Sequence, residues 1–435
     1  MRHAIKYSAA LMLPCAIMLL AAACGKTETQ PKAGEAAPPA AAPEAAQKKE
    51  PATINVYLQA AAYWAEEDFK VAIAEPIQKK YPHLTVNRVV KALPDALTAG
   101  ETVDVYIGWM APLAAAKELG IYKDITPQLK QLNVDLNRIS PSALDMTKQL
   151  SDNGAELYGL PYSTHASGLY YNKSLFDKFG VAYPSDGMNW EQTLALGQKL
   201  TRSDGGTQYY GLNTDSYSRI SFQQSLALID TKTNKANVNT QPYRDVFEVY
   251  KKIFTSQGLN KTIGGIDPFI KTQNVAMYAS INIWPSLRTA NMNWDVAQFP
   301  SFPNRPNTYG MHDPHIAVLN KNSKHQEEAL RVMEMIVSDS AQEYLVSTVG
   351  RFSTLADPKF NQMFGKSHPE FNGKRLASML KSQPAPAAPI SPYYEKANSI
   401  MLAKIPPYLS DQIDLNTMLR QAEEEINQYI ASQKK

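Results

Sequence analysis

Between Leu157 and Gly180 the chain passes from one short strand into another through a polar crossing with almost no helix. Leu157-Tyr158-Gly159-Leu160 reads as an apolar strand closed by Pro161, because proline cannot donate to a sheet ladder. A polar run follows, Ser163-Thr164-His165-Ala166-Ser167, and then a second strand, Gly168-Leu169-Tyr170-Tyr171-Asn172. Ser174 is placed to cap a short helix that Gly180 ends. Such a passage is unusual within one compact sheet and natural for a chain crossing between two bodies.

The length of 435 residues suits two or three domains or two lobes, each large enough for its own core. Apolar content of 44% and charged content of 20% are those of an ordinary globular chain. The net charge of +3 gives no basis for nucleic-acid binding. From residue 53 the pattern alternates between strand and helix. Thr53–Leu58 is a β-branched strand, a helix spans about 66–81, residues 84–86 are a strand, and 103–108 a buried one. This rhythm predicts an α/β fold whose parallel strands carry helices on both faces. Ligands of such sheets sit beyond the carboxyl ends of the strands. Those ends carry Tyr63-Trp64 and Trp109. A second polar crossing is predicted at Gly310–Pro314, followed by the strand His315–Leu319, and a third near Gly350.

The run Gly168-Leu169-Tyr170-Tyr171-Asn172-Lys173, with Leu175-Phe176, Gly180, Pro184 and Trp190 beyond it, resembles the signature of family 1 extracellular solute-binding proteins, the carbohydrate-binding subunits of ABC importers. Val275–Pro285 and Trp294–Ala297 are similar to further family strands, although the glycine that usually precedes Trp284 is absent. The resemblance implies a two-lobed type II periplasmic-binding fold hinged at the crossing segments. It implies one lobe of about 53–162 with 315–347 and another of about 163–312 with 348–435. It also implies a sugar or oligosaccharide ligand, delivery to ABC transporter permease subunits, no cofactor, and a monomer. Two rival readings stay open: an exported sensor or scaffold that binds polysaccharide without transport, and an anion or metal-complex binder of the same fold.

A sugar ring has apolar faces and polar edges, so its site needs aromatic planes beside hydrogen-bonding side chains. Tyr63, Trp64 and Trp109 stand after strand ends, and the resemblance places Trp284 and Tyr217 on the cleft as well. Trp109 and Trp284 are expected to face each other from opposite lobes, or else to pack on the lobe surfaces. Trp190 and Trp294 are assigned to packing. Among polar residues His165 is the best placed, either touching ligand or bonding backbone at the hinge. Asn213, Asp215, His312 and Arg351 complete the set, with Asp215 equally suited to a helix cap or a turn.

Nucleophile-elbow, zinc-protease, P-loop and dinucleotide-binding patterns do not occur, so the chain is expected not to be an enzyme. The cluster His312-Asp313-Pro314-His315 does not suit a metal, because Pro314 breaks any helical face and His315 opens a strand. At the N-terminus Arg2 and Lys6 precede the apolar run Ala9–Ala23, too short to span a bilayer comfortably. It ends Leu20-Ala21-Ala22-Ala23-Cys24-Gly25, which resembles a lipoprotein cleavage site with Cys24 as the acylated residue. Residues 1–23 are therefore read as a signal peptide. Residues 24–52, rich in Ala, Pro, Glu and Lys, are read as a disordered spacer that holds the protein off the outer face of the membrane.

Overall fold

The computed structural model describes residues 50–255 and 265–433. Cys24, the leader and nearly all of the spacer lie outside them. Ten strands form two sheets. They are β1 (Ala52–Leu58), β2 (Leu84–Val90), β3 (Val105–Gly108), β4 (Gly159–Thr164), β5 (Ser167–Asn172), β6 (Asn213–Thr214), β7 (Met277–Ile281), β8 (Trp294–Ala297), β9 (His315–Leu319) and β10 (Phe352–Ser353).

The first sheet has the order β10-β4-β9-β3-β1-β2. Its β1, β2 and β3 are parallel, as the β-α alternation requires. β9 runs antiparallel to both β3 and β4, because it returns from the other sheet rather than through a crossover helix. Ile54, Val56 and Leu58 of β1 are fully buried, and each such side chain stabilises the fold by about 1.5–3 kcal/mol. The second sheet has the order β8-β5-β7-β6, with β5 antiparallel to β7 and β8.

The passage between the sheets is shorter than the sequence indicates. β4 does not stop at Pro161 but continues to Thr164. Pro161 is accommodated at a bulge: Ser163 pairs with His315 and Pro161 with Ile316, leaving Tyr162 as the extra residue. The carbonyl of Pro161 accepts from Thr354 Oγ1 at 2.8 Å. Only His165 and Ala166 then separate β4 from β5. The second crossing, His312–Pro314, links the short strand Thr308–Met311 to β9.

The third crossing lies later than predicted. β10 pairs with β4 through Phe352–Thr164 and Ser353–Ser163, and Leu355 bridges Ile139. Residues 352–355, assigned by sequence to the second lobe, therefore pair with the first sheet. The C-terminal helices Tyr394–Leu409 and Leu415–Gln433 bury Ala422, Ile426 and Ile430 on one stripe. Tyr408 of the first meets Phe247 of the helix Gln241–Thr255 edge-on.

Candidate functional site

A cavity of about 280 Å³ lies where the two sheets and their crossings converge, close to the lower end of the roughly 300–1,000 Å³ usual for small-ligand sites. The first sheet supplies Tyr63 from the turn after β1, Trp109 after β3, and His315 at the start of β9. The opposite side supplies Ser218, Arg219 and Phe222, Ile281 at the end of β7, and Tyr394 and Asn398 of a C-terminal helix. The crossings supply His165 and Asp313. A recess of about 20 Å³ opens beside it and shares His165, Arg219, Phe222, Ile281 and Asp313.

Aromatic rings form the walls. Trp109 meets Tyr394 edge-on at 5.7 Å, and Tyr63 leans on His315 at 4.4 Å. Burial holds the phenols of Tyr63 and Tyr394 well above their ordinary range, so both remain neutral hydrogen-bonding groups.

The polar groups are pinned from behind. Asn282 Nδ2 donates to His165 Nδ1 at 2.5 Å, which leaves the proton on Nε2, 3.7 Å from Asp313 Oδ2. Asn282 also clasps the backbone of Ala166: its side-chain oxygen accepts from Ala166 N–H at 3.0 Å, and its own N–H donates to Ala166 O at 3.1 Å. His315 Nδ1 lies 2.8 Å from Ser163 Oγ. Burial depresses the basicity of His165 and His315; Asp313 opposes the shift at His165, and the charge of Arg351 adds to it at both. Burial also works against the charge of Arg219, but the Asp215 carboxylate more than offsets it, holding the guanidinium through three contacts of 3.0, 2.9 and 2.7 Å.

Of the residues singled out by sequence, Tyr63, Trp109 and His165 line this cavity, and seven do not. Trp284 is 2% exposed and packs against Tyr170, Trp294, Phe364 and Phe371, at 5.8, 5.9, 4.5 and 5.0 Å between centroids. The reason is local. Asn282 takes a left-handed φ of +49°, and Trp284 opens the helix Trp284–Thr289 instead of ending a strand. Gly350, itself left-handed, closes over the indole, where a β-carbon would stand 3.2 Å from the ring. Trp64 is fully buried and stacks on Tyr162. Tyr217 is buried on Phe247, and its hydroxyl donates to Asn398, so it positions a wall residue. Asn213 is buried and donates to the carbonyl of Gly265, and Asp215 clamps Arg219 from outside.

His312 faces a separate cavity of about 190 Å³ behind the crossings, with Thr164. Arg351 lies beneath the floor of the cleft and donates to Ala62 O at 2.6 Å. In the extended crossing successive side chains point to opposite faces, so His312 points to the rear while Asp313 and His315 point into the cleft. The same alternation separates Thr164 from His165. Arg219 lies in the polar loop that had drawn attention to Asp215 and Tyr217, whereas Tyr394, far along the chain, had no local signal.

Among the described residues no group of three His, Cys, Asp or Glu is arranged to hold a metal, and no helix is long and apolar enough to cross a membrane. The fold and its interlobe cavity define the class, a two-lobed periplasmic binding protein. The model of the bacterial extracellular solute-binding protein family matches residues 45–343, and the chain belongs to that family. A putative binding protein of Brucella abortus (strain 2308) is 26% identical over 215 residues, 46% of this chain and 48% of its relative. The chain thus spans about half the length of the curated relatives it matches. Among solved structures, the ABC substrate-binding protein Lmo0181 of Listeria monocytogenes, in complex with cycloalternan, superposes with a TM-score of 0.72 at 17% identity, covering 88% of this chain and 100% of that one. The sugar-binding protein MalE of Xanthomonas citri gives 0.69 at 16% identity, covering 88% and 98%.

Proposed function

We propose that this protein captures a sugar or short oligosaccharide between its lobes and delivers it to the permease subunits of an ABC importer, held at the outer face of the membrane by a lipid on Cys24. The observation that carries the reading is the cavity itself. Tyr63, Trp109 and Tyr394 offer faces for apolar sugar C–H groups, while His165, Asp313, Arg219 and Asn398 converge on the hydroxyl edges. The carbohydrates and sugar-binding role named for the solved relatives support the same ligand class. The lobes would be 53–164 with 315–355 and 167–311 with the C-terminal remainder. They would close by rotation about His165–Ala166 and His312–Pro314, and ligand would favour the closed form by touching both.

A thermal-shift screen of neutral mono- and oligosaccharides, followed by calorimetry on the hits, tests the reading. A saturable rise in unfolding temperature with at least one sugar is expected. No response to any member would overturn it.

A further inference from the structure

One wall residue is an acceptor without a donor. Asp313 is 4% exposed, and its Oδ1 is buried with no hydrogen-bond partner. Its nearest ionic neighbour, His165 Nε2, stands 3.7 Å from Oδ2, beyond hydrogen-bond length. The charge of Arg219, the cation in the same wall, is balanced by Asp215, which accepts from its Nε and Nη2. Among the described residues that line the cavity and its recess, Asp313 is the one carboxylate, and no lysine joins it.

An ionised carboxylate only accepts, and a buried one left unmatched is costly. Sugar hydroxyls are the donors this geometry lacks. A ligand bearing a carboxylate or phosphate would instead bring a second anion beside Asp313, where the one cation, Arg219, already has its charge balanced by Asp215.

Building on the carbohydrate reading above, we propose that Asp313 is the specificity-determining residue of the cleft. It accepts hydroxyl hydrogen bonds from a neutral carbohydrate, tolerates an amino sugar, and rejects acidic sugars.

Calorimetry at neutral pH tests this with gluco-, galacto- and manno-configured sugars, each offered as the neutral hexose and its di- and trisaccharide, the uronic acid, and the 2-amino derivative. The uronic acid of whichever configuration binds is expected to be at least about a hundredfold weaker than its neutral parent, since like charges brought together in an interface cost several kcal/mol. Asp313→Asn is expected to weaken the neutral sugar at least about tenfold, through the lost charged acceptor, and to shrink the neutral-to-acid gap to under about tenfold. Asp313→Glu keeps the charge and is expected to keep the rejection even where affinity falls. Circular dichroism establishes that each variant folds.

A uronic acid that binds wild type within about tenfold of its parent overturns the proposal and leaves the carbohydrate reading standing. So does a neutral-to-acid gap unchanged in Asp313→Asn, or rejection lost in Asp313→Glu. If no sugar of any charge binds, the carbohydrate reading falls and the proposal with it.

Discussion

The indole of Trp109 meets the ring of Tyr394 at 5.7 Å and 87°, and this edge-to-face contact joins the end of a strand in the first sheet to a C-terminal helix packed beside the second. Both rings line the cavity, so the contact belongs to the walls and to their closure together.

Removing the indole of Trp109 should weaken ligand capture while sparing the cores. Trp109→Ala loses an aromatic term of about 0.5–1.5 kcal/mol and apolar burial of about 1–3 kcal/mol. Affinity for the sugar identified by screening should fall roughly ten- to a thousandfold, with little change in the ligand-free unfolding temperature. Titration calorimetry beside differential scanning reads both. A variant that melts early yet binds normally would assign Trp109 to packing.

Trp284 should behave in the opposite way. It fills a cluster of four other aromatic rings, and truncating such a side chain costs about 3–5 kcal/mol. Trp284→Ala is expected to lower the midpoint of denaturant unfolding sharply while the folded fraction keeps its affinity. An intact midpoint with lost binding would return Trp284 to the cleft.

The division between these two tryptophans shows what was legible in the sequence. The alternation of strand and helix, the crossing segments and the aromatics after β1 and β3 are local patterns, and they placed Tyr63, Trp109 and His165 on one cavity. The direction of Trp284, for which the sequence left both cleft and packing open, depends on the backbone of Asn282, and an αL turn at asparagine leaves no periodic trace. The direction of Asp313 in its extended crossing depends on register, set by the bulge opposite Pro161, which no local pattern shows. Tyr394 comes from a helix nearly 290 residues beyond Trp109, a proximity that only the folded chain creates.

Asn282 should be replaceable only at a cost that can be split in two. Asn282→Ala strains the left-handed backbone by about 1–2 kcal/mol and also removes the bonds to Ala166 and His165. Asn282→Gly relieves the strain and removes the same bonds. Chemical denaturation should rank wild type above Gly and Gly above Ala. A glycine variant as stable as wild type with unchanged affinity would show that the side-chain bonds contribute nothing.

Stability should fall with acidification below the ordinary histidine range. His312, 7% exposed, is held at about 4 against an ordinary 6.5 by burial, and His165 and His315 are shifted in the same direction, also chiefly by burial. These are depressed bases, so the unfolded chain takes up protons first as pH drops. Their stabilisation is complete above about 6.5 and is lost as pH falls toward about 4, with His312 alone accounting for roughly 3 kcal/mol. His312→Asn should flatten the pH dependence of the unfolding midpoint between those limits. An identical slope in the variant would count against the assignment.

Cys24→Ala, outside the described residues, is expected to leave a folded, sugar-responsive protein that no longer sediments with membranes. Complete retention in the membrane fraction would refute lipid anchoring at that position.

Because His312 and Asp313 face opposite ways along one extended strip, the second crossing can be edited as two independent surfaces. Substitutions at His312 alter the rear cavity and those at Asp313 the cleft, with Tyr309 lining both the rear cavity and the recess beside the cleft. A single-residue insertion between Met311 and His312 is a different kind of change. It would invert the pleat, sending an imidazole into the cleft and the carboxylate to the rear, and so exchange the chemistry of the two chambers while leaving composition almost untouched.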